Sequence, residues 1–219
     1  MTERSYTARR RRPRRRARPA PKVLPVLLAG VVVLAGAMVY RAVTRGPDGE
    51  GVAVPDYVEE DLLPVNQWSR PGITLERIEG VVIHYVGNPG TTAQANRNYF
   101  ASLASGEEGT YASSHFIVGL EGEVVQCVPL TEIAYASNER NADTVSIEVC
   151  HPDETGKFSQ TSYDRCVELT AWLCRTFRLD PAEDVIRHYD VTGKRCPLYY
   201  VEYPEAWEDF LTDVEAAMG

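Results

Sequence analysis

Residues Val23 to Tyr40 form a run of 18 residues without a single charge. At 1.5 Å per residue, a helix of this length is close to the minimum that crosses about 30 Å of membrane hydrocarbon. The first 22 residues carry ten lysines and arginines against one acid. The more basic flank of a span stays inside the cell, so the sequence predicts a basic cytoplasmic tail at 1–22 and an N-terminal transmembrane helix at 23–40.

A cleaved signal peptide is the alternative interpretation of this run. Ala35-Gly36-Ala37 is a small-residue sequence of the kind that precedes a signal cleavage site. The apolar run is longer than the roughly 7 to 15 residues of a usual signal peptide, which favours an uncleaved signal anchor. We therefore expect a single-pass cell-membrane protein whose remaining chain is extracytoplasmic, or a secreted protein if cleavage occurs near Ala37.

The chain after the apolar run is strongly acidic. From Gly46 onward it has 11 basic and 30 acidic residues, a balance of −19, whereas the whole chain carries −8. Such a surface repels anionic polymers, so we expect no nucleic-acid partner. The acidic, Gly/Pro-rich residues 41–64 lack a sustained hydropathy period and predict a linker. Residues 65–219 then have the size of one domain, which we expect to be a monomer.

Strand and helix patterns alternate through the predicted domain. The β-branched run Gly80 to Tyr85 indicates a buried strand, and Thr91 or Thr92 can cap a helix that runs to about Ser105. The other predicted elements are strands at 114–118, 123–128, 144–150 and 184–187, and helices at 159–177 and 204–217. Strands interleaved with helices predict an α/β domain with a central mixed β-sheet flanked by helices.

The five cysteines leave at least one thiol outside any disulfide, because their number is odd. Cys166 and Cys174 lie on one predicted helix about 12 Å apart along its axis, too far for a bridge. Cys127 and Cys150 lie in apolar strand-like runs, where buried free thiols are expected.

A candidate metal site begins with His188 and Cys196, which are separated by a Gly-containing loop that can turn both towards one point. Zinc binds imidazole nitrogen and thiolate sulfur, and three protein ligands leave a fourth position open for catalysis. His84 is the best third ligand by position, since it ends a strand where active-site groups of α/β sheets emerge. A hydrogen-bonded core histidine is the alternative for each. For His115, a packing or hydrogen-bonding role explains the sequence as well as a role in the site. His151 precedes a turn and is expected to be exposed.

Four sequence blocks occur in order along the chain. They are Val-Ile-His84-Tyr, Ser-His115-Phe-Ile-Val with the following Gly-Glu-Val-Val-Gln, Ser-Ile-Glu148-Val, and His188 through Cys196-Pro197. Together they resemble the type 2 N-acetylmuramoyl-L-alanine amidases, which include phage endolysins and relatives of the peptidoglycan-recognition proteins. The resemblance covers roughly residues 65 to 210. It implies a zinc amidase that cuts peptidoglycan between the lactyl group of N-acetylmuramic acid and the L-alanine of the stem peptide.

The resemblance also implies the roles of particular residues. The family's ligands for one catalytic zinc ion fall on His84, His188 and Cys196. Its acid falls on Glu148, which can accept a proton from water and return it to the leaving amine. Its lysine falls on Lys194, which can stabilise the oxyanion. Some relatives have a tyrosine where Ser114 stands, so the resemblance puts the proton transfer on Glu148.

Each of these roles has a simpler alternative. Glu148 is otherwise an outward-facing strand residue, Lys194 an exposed loop lysine and Cys196 half of a disulfide. The predicted substrate-binding residues are Asn88, His115, Tyr135 and Asn138.

The predicted function is bacterial cell-wall remodelling, because a freely diffusing endolysin needs no membrane anchor. A non-catalytic peptidoglycan-binding module is the alternative function. Recognition relatives commonly lack the cysteine, so Cys196 favours the enzyme.

Overall fold

A computed structural model describes residues 48–219 of the chain. The predicted basic tail at 1–22, the predicted membrane segment at 23–40 and the start of the predicted linker lie outside the described residues. Within residues 48–219, no helix is both long enough and apolar enough to cross a membrane.

One sheet organises the described part of the chain. Its strands are β1 (Val58–Glu60), β2 (Gly80–Tyr85), β3 (Phe116–Val118), β4 (Val124–Gln126), β5 (Thr144–Val149) and β6 (Val185–Arg187). They lie in the order β1-β4-β3-β5-β2-β6. The β3–β4 pair is antiparallel and every other pair is parallel. The predicted central mixed sheet is therefore confirmed.

Helices cover both faces of this sheet. They are α1 (Ala93–Ser102), α2 (Gln160–Phe177), α3 (Pro181–Asp184), α4 (His188–Thr192), α5 (Leu198–Glu202) and α6 (Pro204–Met218). Helices α2 and α6 pack on one face, with Ile83 and Ile147 of the central strands in the same core. Helix α1 packs on the other face beside Ile117. The predicted caps are confirmed, since Thr92 caps α1 and Ser159 caps α2 through their side chains.

The predicted linker at 41–64 is wrong for the residues that the structure describes. Strand β1 pairs with β4, and Leu63 is completely buried. Gly49 lies so close to the backbone of Leu130 that a Cβ atom there would collide with it. The segment folds onto the domain because its short apolar stretches find partners far along the chain, which a local hydropathy period does not reveal.

The cysteines of the described domain are all buried and free. This confirms the expectation for Cys127 and Cys150 and excludes the interpretation of Cys196 as half of a disulfide.

His115 is predicted to contact substrate, but it lies in the interior with 1% of its surface exposed. Its Nδ1 accepts a hydrogen bond from the Ser146 backbone N–H at 3.0 Å, and its Nε2 lies 2.9 Å from the Glu132 carbonyl oxygen. One nitrogen accepts and the other donates, so the ring is neutral. Burial lowers its pKa to about 4. This placement contradicts substrate contact and makes His115 a structural residue.

Replacement of Leu63 tests whether the segment before residue 65 belongs to the domain. Leu63→Ala should lower the free energy of unfolding by about 2 to 5 kcal/mol, because it removes buried carbon and leaves a cavity. Val65 is 65% exposed, so Val65→Ala should change the free energy by less than about 0.5 kcal/mol. Urea unfolding followed by circular dichroism measures both, and a small effect of both variants would restore the linker interpretation.

The buried state of His115 should make stability depend on pH. Its pKa is about 4 in the folded protein and 6.5 in the unfolded chain. The unfolded chain therefore binds more protons between these values, and stability present above pH 6.5 is lost as pH falls towards 4. The non-ionisable His115→Gln variant should lack roughly 3 kcal/mol of this dependence. Urea unfolding at pH 7 and pH 4.5 checks this difference. An equal loss of unfolding free energy between the two pH values in both proteins would contradict a neutral buried His115.

Candidate metal centre and active site

His84 and Glu148 lie side by side at the ends of two central strands. Strands β2 and β5 are parallel, and their register places His84 directly opposite Glu148. Side chains alternate between the faces of a sheet. Ile83 and Ile147 therefore enter the core under α2 and α6, while the next residue of each strand points to the opposite face. Glu148 does not face outward into solvent, as its alternative interpretation required, but lines a cavity.

His188 and Cys196 reach the same place through a short helix. Strand β6 pairs with β2, and α4 begins at His188, immediately after β6. The Tyr189 N–H donates to the Cys196 carbonyl at 2.8 Å, so the chain returns to the start of α4. Helix α4 was not predicted. The signal for it is Asp190, whose carboxylate accepts from the Arg187 backbone N–H at 2.9 Å as in a capping box.

The three predicted metal ligands come together in the interior. One ligand atom each from His84, His188 and Cys196 lies within 4.8 Å of the others. The distance from His84 Nδ1 to Cys196 Sγ is 3.8 Å, and the two imidazole rings are 4.5 Å apart at their centroids. Their spacing and chemical type fit a zinc ion, which binds imidazole nitrogen and thiolate sulfur.

The ionisation of these groups also fits a cation. Burial lowers the pKa of His84 well below its usual value, and the nearby His188 and Lys194 lower it further. Burial also lowers the pKa of His188, so both rings are neutral, as metal ligands must be. Neither ring nitrogen of His188 has a hydrogen-bond partner among the described residues. Burial raises the pKa of the Cys196 thiol to about 12, so a bound cation would be needed to favour the thiolate.

Ser137 fixes the orientation of the His84 ring. Its Oγ lies 3.1 Å from His84 Nε2, and Ser137 is 1% exposed. The Asn141 side chain accepts from the backbone N–H groups of Ala136 and Ser137 at 3.0 and 2.6 Å, which holds this loop against His84. The His84 nitrogen left facing Cys196 is Nδ1. The sequence shows only a polar loop here, and Ser137 was not predicted.

Glu148 is a partly buried acid beside the candidate ligands. Its Oε1 lies 3.9 Å from His84 Nδ1, and its side chain is 18% exposed. Its Oε2 has no hydrogen-bond partner among the described residues. Burial raises the pKa of Glu148 to about 8, although the charge of Lys194 opposes this rise. A carboxyl group with a pKa near neutrality can both accept and donate a proton.

Lys194 is exposed, as its alternative interpretation states, yet it also lines the cavity. In the sequence it lies between the candidate ligands His188 and Cys196. Its positive charge lowers the pKa of both Glu148 and His188. The charge of the ammonium group therefore acts on the ionisable groups of the centre.

A cavity of about 500 Å³ joins the metal centre to an aromatic region. Its lining residues are His84, Tyr85, Val86, Gly87, Phe100, Tyr111, Ala112, Ser113, Tyr135, Ala136, Glu148, His188, Lys194 and Cys196. This volume lies in the range of small-molecule sites.

The structure separates the predicted substrate-binding residues. Tyr135 lines the cavity. Asn88 and Asn138 are exposed and are not among the lining residues, and His115 is interior. His151 was expected to be exposed but is 1% exposed, because its ring stacks on Tyr85 at a centroid distance of 5.0 Å.

Known proteins resemble this chain in sequence. Residues 74–198 match the model of the N-acetylmuramoyl-L-alanine amidase family. The amidase BlyA of Bacillus subtilis (strain 168) is 32% identical over 177 residues, which cover 72% of this chain and 46% of BlyA. The amidase CwlL of Bacillus licheniformis is 29% identical over 174 residues, which cover 74% of this chain and 48% of CwlL. The chain thus spans about half the length of the curated relatives it matches.

Solved structures resemble it in fold. PlyL matches with a TM-score of 0.62 at 20% identity, over 72% of this chain and 96% of PlyL. The catalytic domain of XlyA matches with a TM-score of 0.59 at 24% identity, over 74% of this chain and 99% of that domain. These matches establish a shared fold for the described domain. Because the family model spans more than half of the sequence, the chain belongs to the N-acetylmuramoyl-L-alanine amidase family.

Proposed function

We propose that this protein is a zinc-dependent peptidoglycan hydrolase that cleaves the amide between the lactyl group of N-acetylmuramic acid and the L-alanine of the stem peptide. The observation that carries the proposal is the convergence of two histidines and one cysteine within 4.8 Å, in a cavity that also contains a partly buried carboxyl group. Membership of the amidase family supports the same reaction.

His84, His188 and Cys196 would hold the zinc ion. When bound there, zinc supplies a Lewis acid that polarises the amide carbonyl and increases the acidity of water. His84 would bind through Nδ1, since its Nε2 faces Ser137. No fourth protein ligand joins this group among the described residues, which supports a catalytic rather than a structural metal.

Glu148 and Lys194 supply the remaining chemistry. Glu148 accepts a proton from the attacking water and returns it to the leaving nitrogen, for which a pKa near neutrality is suited. The ammonium group of Lys194 stabilises the negative charge that develops on the oxygen of the reacting carbonyl. A non-catalytic recognition module would need neither group, so their presence in one cavity favours the enzyme over the peptidoglycan-binding alternative.

We further propose that the enzyme remodels the wall of its own cell as a monomer tethered to the outer side of the membrane. The support is the sequence, in which ten basic residues precede an uncharged run and the remainder is acidic. Secretion after cleavage near Ala37 is the alternative location.

Mass analysis of cell-wall fragments tests the reaction. The purified enzyme should release stem peptides with a free N-terminal alanine, and a chelator should abolish this release until zinc is restored. Cys196→Ala should lose both bound zinc and activity. Glu148→Gln should keep the zinc while kcat falls by about 10²- to 10⁴-fold, because general acid–base catalysis is lost.

Cys127→Ala is the matched control, since Cys127 is also a buried free thiol but does not line the cavity. It should keep both zinc and activity. Full activity after removal of the metal would contradict the proposal, and wall binding without new alanine termini would establish the recognition module instead.

A second measurement concerns Ser137, which we propose as a positioning residue for His84. Loss of such a partner typically weakens metal binding by about 10- to 100-fold, so Ser137→Ala should lower zinc affinity by this factor in competition with a chromophoric chelator. Ser137→Thr should retain most of the affinity because it keeps the hydroxyl. Ser146→Ala is the control, since Ser146 is a buried serine that contacts His115 instead. An equal loss in both alanine variants would show a general structural effect.

A further inference from the structure

We propose that Tyr111 and Tyr135, with Trp68 packed against Tyr111, form a preorganised aromatic wall that binds the sugar ring of muramic acid, so that the enzyme recognises the glycan as well as the peptide. This inference rests on the proposed function, since it assigns one part of that substrate to one side of the same cavity.

Tyr111 offers an open aromatic surface beside the metal centre. It lines the same cavity as His84 and Glu148, and it is 56% exposed. Tyr135 lines the cavity next to it, with the two rings edge to face at a centroid distance of 5.5 Å. Exposed tyrosines are common on proteins, but two in contact in one active-site cavity indicate a ligand-binding surface.

Trp68 packs against Tyr111 and is not among the residues that line the cavity. The two rings lie 4.6 Å apart at their centroids. The indole packs against Gly106, where a Cβ atom would lie 2.8 Å from Trp68 Nε1. The Asn66 side-chain oxygen accepts from the Trp68 backbone N–H at 2.8 Å, and the Trp68 carbonyl accepts from the Ala112 backbone N–H at 3.2 Å. The two hydrogen bonds hold the Trp68 backbone, and the absence of a side chain at Gly106 leaves room for the indole.

Tyr135 is fixed to the Tyr111 segment by a reciprocal pair of hydrogen bonds. The Tyr135 N–H donates to Ser113 Oγ at 2.9 Å, and the Ser113 N–H donates to the Tyr135 carbonyl at 3.0 Å. The two segments that carry Tyr111 and Tyr135 are thus joined by hydrogen bonds in the absence of a ligand. Rigid aromatic groups lose little conformational entropy on binding, so their contact area contributes efficiently to affinity.

The charge of the cavity favours a sugar over the peptide at this wall. Among the lining residues, the formal charges belong to Glu148 and Lys194, both at the metal end. The stem peptide carries carboxylates, which bind cationic side chains rather than uncharged aromatic ones. A pyranose ring is neutral and presents C–H groups that pack on an aromatic face. Its ring is joined to the lactyl group by one ether bond, so it must lie close to the scissile amide.

Calorimetric titration of the zinc-loaded Glu148→Gln protein measures this recognition without turnover. The ligands are N-acetylmuramoyl-L-alanyl-D-isoglutamine and D-lactoyl-L-alanyl-D-isoglutamine, which share the amide and differ by the sugar. Adding Tyr111→Ala should raise the Kd for the muramoyl ligand by about 10-fold, the effect of losing one well-packed aromatic contact. The Kd for the lactoyl ligand should stay within about twofold. Tyr111→Phe should bind both ligands like the parent, since the ring face is retained.

Tyr203→Ala is the control, because Tyr203 is 45% exposed but does not line this cavity. It should leave both Kd values unchanged, and thermal unfolding checks that each variant is folded. Equal weakening of both ligands by Tyr111→Ala, or no weakening, would overturn the sugar assignment. Failure of the wild-type enzyme to release alanine termini from cell walls would contradict the proposed function, while the Kd values still test the wall.

Discussion

The parallel pairing of β2 with β5 is the interaction on which the rest of the site depends. It places His84 opposite Glu148 and Ile83 opposite Ile147 in the same ladder. Because side chains alternate along a strand, the packing of the two isoleucines under α2 and α6 directs the histidine and the acid to the other face. A slip of one residue in either strand would exchange the faces. The hydrophobic core therefore sets the register that assembles the candidate active site.

The same burial that builds this site disfavours the charged forms of its ionisable groups. Burial raises the pKa of Glu148 and Cys196 and lowers the pKa of His84 and His188. Ionised forms lose their hydration in the interior, so each group shifts towards its neutral state. A divalent cation bound by these groups would favour the Cys196 thiolate and the neutral histidines. The ring nitrogens of His188, which have no hydrogen-bond partner among the described residues, are consistent with a ligand that is not part of the chain.

Local signals in the sequence were sufficient for the elements that carry their own signature. The apolar run of β2 and the capping residues Thr92 and Ser159 predicted their elements closely, and the ordered motifs led to the residues that the structure brings together. Strand β1 was missed because a three-residue strand owes its existence to its distant partner β4. The predicted substrate contact of His115 was wrong and Ser137 was missed for a related reason, since their roles depend on contacts with residues remote in sequence.

The loop from Tyr135 to Asn141 contacts both the candidate metal centre and the proposed aromatic wall. Asn141 holds the backbone that presents Ser137 to His84, and the same loop begins with Tyr135, whose backbone is tied to Ser113 beside the aromatic wall. A displacement of this loop would move both the ring of a candidate metal ligand and one side of the cavity. Its polar sequence lacks any hydropathy period, and side-chain to backbone hydrogen bonds hold it in place. The ring of His84 and the cavity wall at Tyr135 are therefore held by the same short segment.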